Sequence, residues 1–146
     1  MKLKSVSTWG VVLSVLLSIV ALRTNSTIGE EKKVAPTGIY ELRTSTTLEG
    51  RLPNLNARFK NHTLKLFEKH GMKNVMYWIP TDEKLSQNTL IYVLWHASTD
   101  AAKKSWDGFR SDPEWHAARD ESEKDGKIVA KVESVYMTLA EFSPKP

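Results

Sequence analysis

The sequence predicts an α+β fold, a ferredoxin-like four-stranded antiparallel sheet with helices on one face. Two observations carry the prediction. From Gly38 onward the chain reads strand, helix, strand and then strand, helix, strand again, the order of two split β-α-β units. That plan leaves one sheet face without helices, and in the last strand pattern, KIVAKVESVYMT, valine and methionine alternate with charged neighbours such as Lys131 and Glu133. A second copy of the chain is the economical cover for such a face, so a homodimer with two sheets face to face is expected.

The first strand is GIYELRTST, in which Ile39, Glu41 and Arg43 alternate with Tyr40, Leu42 and Thr44. Leu52, Leu55, Phe59, His62, Leu66 and His70 or Phe67 then recur at spacings of three and four, an amphipathic helix of roughly five turns that Gly71 stops. MKNVMYWIP is rich in strand formers and ends at Pro80, and TDEKLSQN is a polar turn. TLIYVLWHA, Thr89 to Ala97, is apolar on both faces and reads as an interior strand. Ser98 or Thr99 caps a helix whose face is Ala101, Ala102, Ser105, Trp106 and Phe109. Asp112, Pro113 and Glu114 have the cap, the missing N–H and the negative charge that suit the start of a further helix.

The 146 residues suffice for one ordinary domain, placed at 38–146. Ahead of it, MKLKSVSTWG is basic and VVLSVLLSIVAL is an apolar run of twelve, short of the ~20 residues of a comfortable membrane span. Residues 1–28 are therefore read as an export signal, and 29–37, within the polar stretch TNSTIGEEKKVAPTG, as a linker. The protein is expected to be exported, periplasmic or secreted, and to touch a membrane only if the N-terminal segment stays uncleaved as an anchor.

The formal charge is +4, but Lys2, Lys4 and Arg23 lie in an acid-free start, and the remainder holds 18 basic against 17 acidic residues. A nearly neutral domain lacks the footprint of a nucleic-acid binder. With no cysteine, thiolate metal sites, disulfides and cysteine nucleophiles are excluded. No G-x-S-x-G, Walker or dinucleotide glycine pattern occurs, which removes the corresponding hydrolase and nucleotide readings.

His116, Asp120 and Glu123, at helical spacings of four and three, resemble a metal or acid–base triad. Arg119, Glu121, Lys124 and Asp125 surround them, so the favoured reading is a solvated helix face with an Asp120–Lys124 pair, and no metal is expected. Arg43 shares a strand face with Glu41, where a guanidinium either clamps a substrate carboxylate or pairs internally with that acid; the internal pair is favoured. His96 at a strand end and His62 on the helix face suit proton transfer or haem ligation, or else simple hydrogen-bonded structure. His70, beside Gly71, suits a helix C-terminus. Trp78, Trp95, Trp106 and Trp115 with Tyr40, Tyr77 and Tyr92 supply rings for a core or an apolar pocket.

Four stretches together resemble the NIPSNAP family: YELRTSTTLEG, FEKHGMKNVMYW, AAKKSWDGFRSDPEW and the ending VESVYMTLAEFSP. The resemblance spans essentially residues 38–144 and rests on the E-L-R-T opening combined with W-x-x-F-R-x-D-P-x-W. It implies a dimeric α/β barrel of ferredoxin-like protomers. Relatives sharing that barrel include antibiotic-biosynthesis monooxygenases, haem-degrading enzymes and stress-responsive barrel proteins, while the family itself has no settled reaction. Its mitochondrial roles do not transfer, because the N-terminal segment lacks the Arg- and Ser-rich amphipathic character of a transit peptide. The expectation is a binding module of undetermined biochemical role that takes a small apolar ligand or a protein partner, with Tyr40, Arg43, His62 and His96 as ligand-binding candidates. The alternative is a cofactor-independent monooxygenase-like or haem-handling enzyme. No catalytic residue is assigned and no cofactor is expected.

Overall fold

A computed structural model describes residues 38–144 of the chain; the signal and linker readings lie outside the described residues. Four strands form one antiparallel sheet in the order β2-β3-β1-β4, with β1 at Ile39–Thr47, β2 at Lys73–Trp78, β3 at Thr89–His96 and β4 at Val129–Met137. This is the ferredoxin-like order, with both split units pairing β1 and β3 at the centre. No helix of the described residues is long and apolar enough to cross a membrane.

The long helix arrives in three consecutive pieces: α1 (Leu52–Arg58), a π-helical turn (Phe59–Thr63) and α2 (Leu64–Lys69). In the π-turn the Leu64 N–H donates to the Phe59 carbonyl, five residues back, and Thr63 Oγ1 donates to the Arg58 carbonyl at 3.3 Å. The wider turn shifts the buried stripe by one position. Leu55, Arg58 and Phe59 face inward before it, and Thr63, Leu66 and Phe67 after it, while His62 is turned out to solvent. Gly71, at φ +78°, then reverses the chain in the left-handed conformation that its missing Cβ permits.

Helix α3 (Thr99–Ser111) begins on Ser98, whose hydroxyl accepts from the Ala101 N–H at 3.1 Å. Helix α4 (Pro113–Ser122) begins on Asp112, which accepts from the Glu114 N–H at 2.9 Å, with Pro113 in the first turn. The Asp112 carboxylate also bridges to Lys69 Nζ at 2.9 Å and His70 Nε2 at 2.6 Å. His70 therefore ties the end of α2 to the start of α4 rather than serving its own helix's carbonyls. These donors from Lys69 and His70 hold the Asp112 carboxyl well below the usual carboxylate range.

Helices α1 to α4 lie on one side of the sheet. Between them and the strands sits a core of Leu55, Phe67, Met72, Leu90, Leu94 and Ile128, with rings packed edge-on: Phe59 against Tyr92 at 5.1 Å and Phe67 against Trp106 at 5.5 Å between centroids. By the pairing register, Leu42, Ile91, Val93, Met76, Trp78, Val135 and Met137 share the opposite face. There Val135 is 56% and Trp78 44% exposed, while the C-terminal residues Leu139–Pro144 cross beside Tyr40 and Val93.

Leu94 is fully buried at the middle of β3, so Leu94→Ala is expected to cost about 2–5 kcal/mol of unfolding free energy, measured by urea denaturation.

Candidate functional site

Residues two apart on a strand point the same way, so β1 delivers Glu41 and Arg43 together to the helix side. The register places Arg43 between Tyr92 of β3 and Ser134 of β4. Glu41 is 1% exposed and accepts four hydrogen bonds. Arg43 Nη1 (2.6 Å) and Ser134 Oγ (2.7 Å) donate to Oε1; Trp106 Nε1 (2.7 Å) and His96 Nε2 (2.9 Å) reach Oε2. Burial pushes this carboxyl's pKa up, but the donors from His96, Ser134, Trp106 and Arg43 outweigh burial and hold it at about 2. An ionised carboxylate only accepts, so His96 Nε2 is the donor in this contact; its Nδ1 is buried and has no partner among the described residues.

Arg43 thus forms the internal ion pair expected of it. Its remaining contacts turn it outward from that pair: Nε donates to the Tyr92 hydroxyl at 2.9 Å, and the guanidinium carbon lies 4.2 Å from the Trp106 ring centroid. Burial lowers the guanidinium's pKa, but Tyr92 and Glu41 raise it by more, so the charge is held.

Arg43 also borders a cavity of about 240 Å³ between the sheet and helices α1, α3 and α4. Phe59, Tyr92, Trp106 and Trp115 give it ring walls, and Val132 of β4 stands at its edge. Four cations, Arg43, Arg58, Arg119 and Lys127, line it against one acid, Glu123. Arg58 is 6% exposed; its Nη1 donates to Ser122 Oγ and Glu123 Oε1, both at 3.2 Å, and its guanidinium carbon is 5.1 Å from the Trp115 centroid.

With this geometry in place, the comparisons decide the relationship. The NIPSNAP family model matches residues 40–144. The chain belongs to the NIPSNAP family. No curated protein matches it. Among solved structures it is similar to a NIPSNAP family protein of unknown function from Agrobacterium tumefaciens, at 20% identity and TM-score 0.64, covering 76% of this chain and 96% of that one. A NIPSNAP-like domain protein from Burkholderia xenovorans matches at 12% identity and TM-score 0.63, over 76% and 93% of the two chains. SnoaB from Streptomyces nogalater, described as a cofactor-independent oxygenase, matches at 11% identity and TM-score 0.51, over 75% and 99%. At these identities the likeness is one of fold.

Of the four ligand-binding candidates read from this NIPSNAP sequence, Arg43 lines the cavity, as do Tyr92, Trp106 and Trp115 of the rings noted for an apolar pocket. His96 is 0% exposed and sits behind Arg43, bonded to Glu41. Tyr40, three residues from Arg43, necessarily lies on the other sheet face and borders the groove under the C-terminal tail. His62 is exposed on the π-turn and borders two grooves on the outer side of the helices rather than the cavity. The His116, Asp120, Glu123 set does not converge. His116 Nε2 donates to the Arg110 carbonyl at 2.7 Å, Asp120 pairs with Arg119 at 2.7 Å, and Glu123 turns inward to Arg58. Lys124 pairs with Glu121 rather than Asp120, because α4 ends at Ser122 and Lys124 lies beyond it.

Sequence reading missed Arg58 and Ser134 as site residues, and it named Trp106 for its ring without its bond to Glu41. Arg58 had left a signal, since it stands three residues after Leu55 on the apolar stripe.

Because folding lowers the Glu41 pKa from 4.5 to about 2, its contribution to stability is complete above pH 4.5 and is lost as pH falls toward 2. Glu41→Gln is expected to lose about 3 kcal/mol at pH 7 and to flatten the decline of stability between those pH values, followed by denaturant unfolding across pH.

Proposed function

We propose that this NIPSNAP protein is an exported homodimeric binding protein that holds a small apolar ligand between its sheet and helices. The observation that carries the reading is the cavity of about 240 Å³ walled by Phe59, Tyr92, Trp106 and Trp115 and edged by the fixed guanidinium of Arg43. Ligand pockets combine apolar walls with a few placed polar groups, and this volume lies below the drug-sized range of about 300–1,000 Å³. A one- or two-ring molecule is the size that suits it. The exposed apolar face with Met76, Trp78, Val135 and Met137 supports the second copy, and the N-terminal sequence pattern supports export.

The second reading, cofactor-independent oxygen chemistry of the kind named for SnoaB, draws on the Arg43–Tyr92 hydroxyl pair at the cavity wall. Oxygen uptake upon ligand addition distinguishes it from binding alone.

Two measurements test the proposal. Tryptophan quenching by naphthalene-class probes should saturate, and Val132→Trp, which narrows the cavity edge from a half-exposed position, should weaken it by about tenfold with the melting temperature unchanged. Failure of any one- or two-ring probe to bind would contradict the ligand reading. Light scattering should give twice the 16.6 kDa chain mass, reduced for any signal removed, and Val135→Glu on the open face should yield monomers; a monomeric parent would contradict the dimer.

A further inference from the structure

Arg58 is a buried cation whose partners do not use it fully. A guanidinium offers five N–H donors, and here only Nη1 donates among the described residues, to Ser122 and Glu123 at 3.2 Å each. Nε is buried without any acceptor. Both Nη1 contacts lie beyond the 2.7–2.9 Å typical of charge-assisted bonds. The Glu123 oxygen that receives one of them is shared with the Ile128 N–H, also at 3.2 Å. Burial lowers the Arg58 pKa more than Glu123 restores it, which is the mark of an under-compensated charge.

Placement adds direction to this deficit. Arg58 closes α1 immediately before the π-turn, and the bond from Thr63 Oγ1 to its carbonyl fixes that backbone. Trp115 lies against the guanidinium, and Arg58 lines both the cavity and an outer groove beside Ser122. The nearby cations are not equivalent: Arg43 answers Glu41, Arg119 answers Asp120 and Lys127 is exposed to water, whereas the buried Arg58 has only the long contact to Glu123.

We propose that Arg58 is the head-group receptor of the cavity and that the ligand is a small aromatic or apolar carboxylic acid, its ring against Phe59 and Trp115 and its carboxylate on the unused edge of the guanidinium. This rests on the cavity being a ligand site and deepens that reading by assigning the ligand's charge. A carboxylate supplies two acceptors in the plane a guanidinium presents, answers the Nη2 donors that have no partner among the described residues, and offsets the buried charge in one step. A neutral ligand of equal shape would bury the same rings and leave the donors unanswered.

The test is calorimetric titration of the full-length protein with 2-naphthoate and with its neutral isostere 2-naphthamide at pH 7. The acid is expected to bind about tenfold or more tighter than the amide. Arg58→Met, which keeps the apolar stem, should erase that preference, and Arg58→Lys, a point charge without the fork, should restore only part of it. Equal affinity of acid and amide for the parent protein overturns the assignment of Arg58 and leaves the cavity reading standing. Absence of binding by both probes overturns the two together. The acid–amide comparison on the parent protein decides the matter even if neither Arg58 variant folds.

Discussion

A carboxylate sealed beneath a β-sheet is tolerable only when donors replace the water it has lost, and Glu41 meets that condition with four of them. Those donors come from β1, β3, β4 and α3, so one side chain joins three strands and the helix layer above them. The rest of the helix-side geometry depends on this. Trp106 is held by its indole N–H, which fixes the ring plane on which Arg43 lies, and Arg43 in turn positions the Tyr92 hydroxyl. Removing the carboxylate would release an arginine, a histidine and an indole at once, each partly or wholly buried.

The cavity owes its shape to a second constraint, the π-turn between α1 and α2. A continuous α-helix would carry the apolar stripe from Phe59 to His62 and put an imidazole against the core. The extra residue in the turn presents Thr63 instead and leaves Arg58 and Phe59 side by side at the cavity wall. Polar groups therefore enter from two directions, Arg43 from the sheet and Arg58 from the helix, with tryptophan faces beside both.

The fold was legible because its signals are local and periodic. Gly71, Ser98, Asp112 and Pro113 mark helix ends by their own backbone chemistry, and alternation in GIYELRTST marks a two-faced strand. The site was legible only in part. Arg43 and its pairing with Glu41 follow from strand parity, and the same parity, applied to Tyr40, separates it from Arg43. His62 was misplaced because a π-turn leaves no spacing signature of its own in an otherwise helical pattern. His96 was rightly set at a strand end, but its burial against Glu41 depends on a pairing across 55 residues that no single-sequence pattern contains. Glu123 looked like part of a solvated helix face; α4 ends one residue before it, and the chain's turn there sends the carboxylate back to Arg58.

The two sheet faces divide the labour of the domain. The helix side buries charge and encloses the cavity, while the open side carries apolar residues that, among the described residues, have only the C-terminal tail beside them. Everything on the helix side presumes that Glu41 is ionised in the folded protein. The direct measurement is the side-chain carboxyl ¹³C shift of Glu41 followed by NMR from pH 7 downward: the account predicts a midpoint near 2, well below an ordinary glutamate, with His96 and Trp106 resonances changing in step. A midpoint at or above about 4.3 would contradict it.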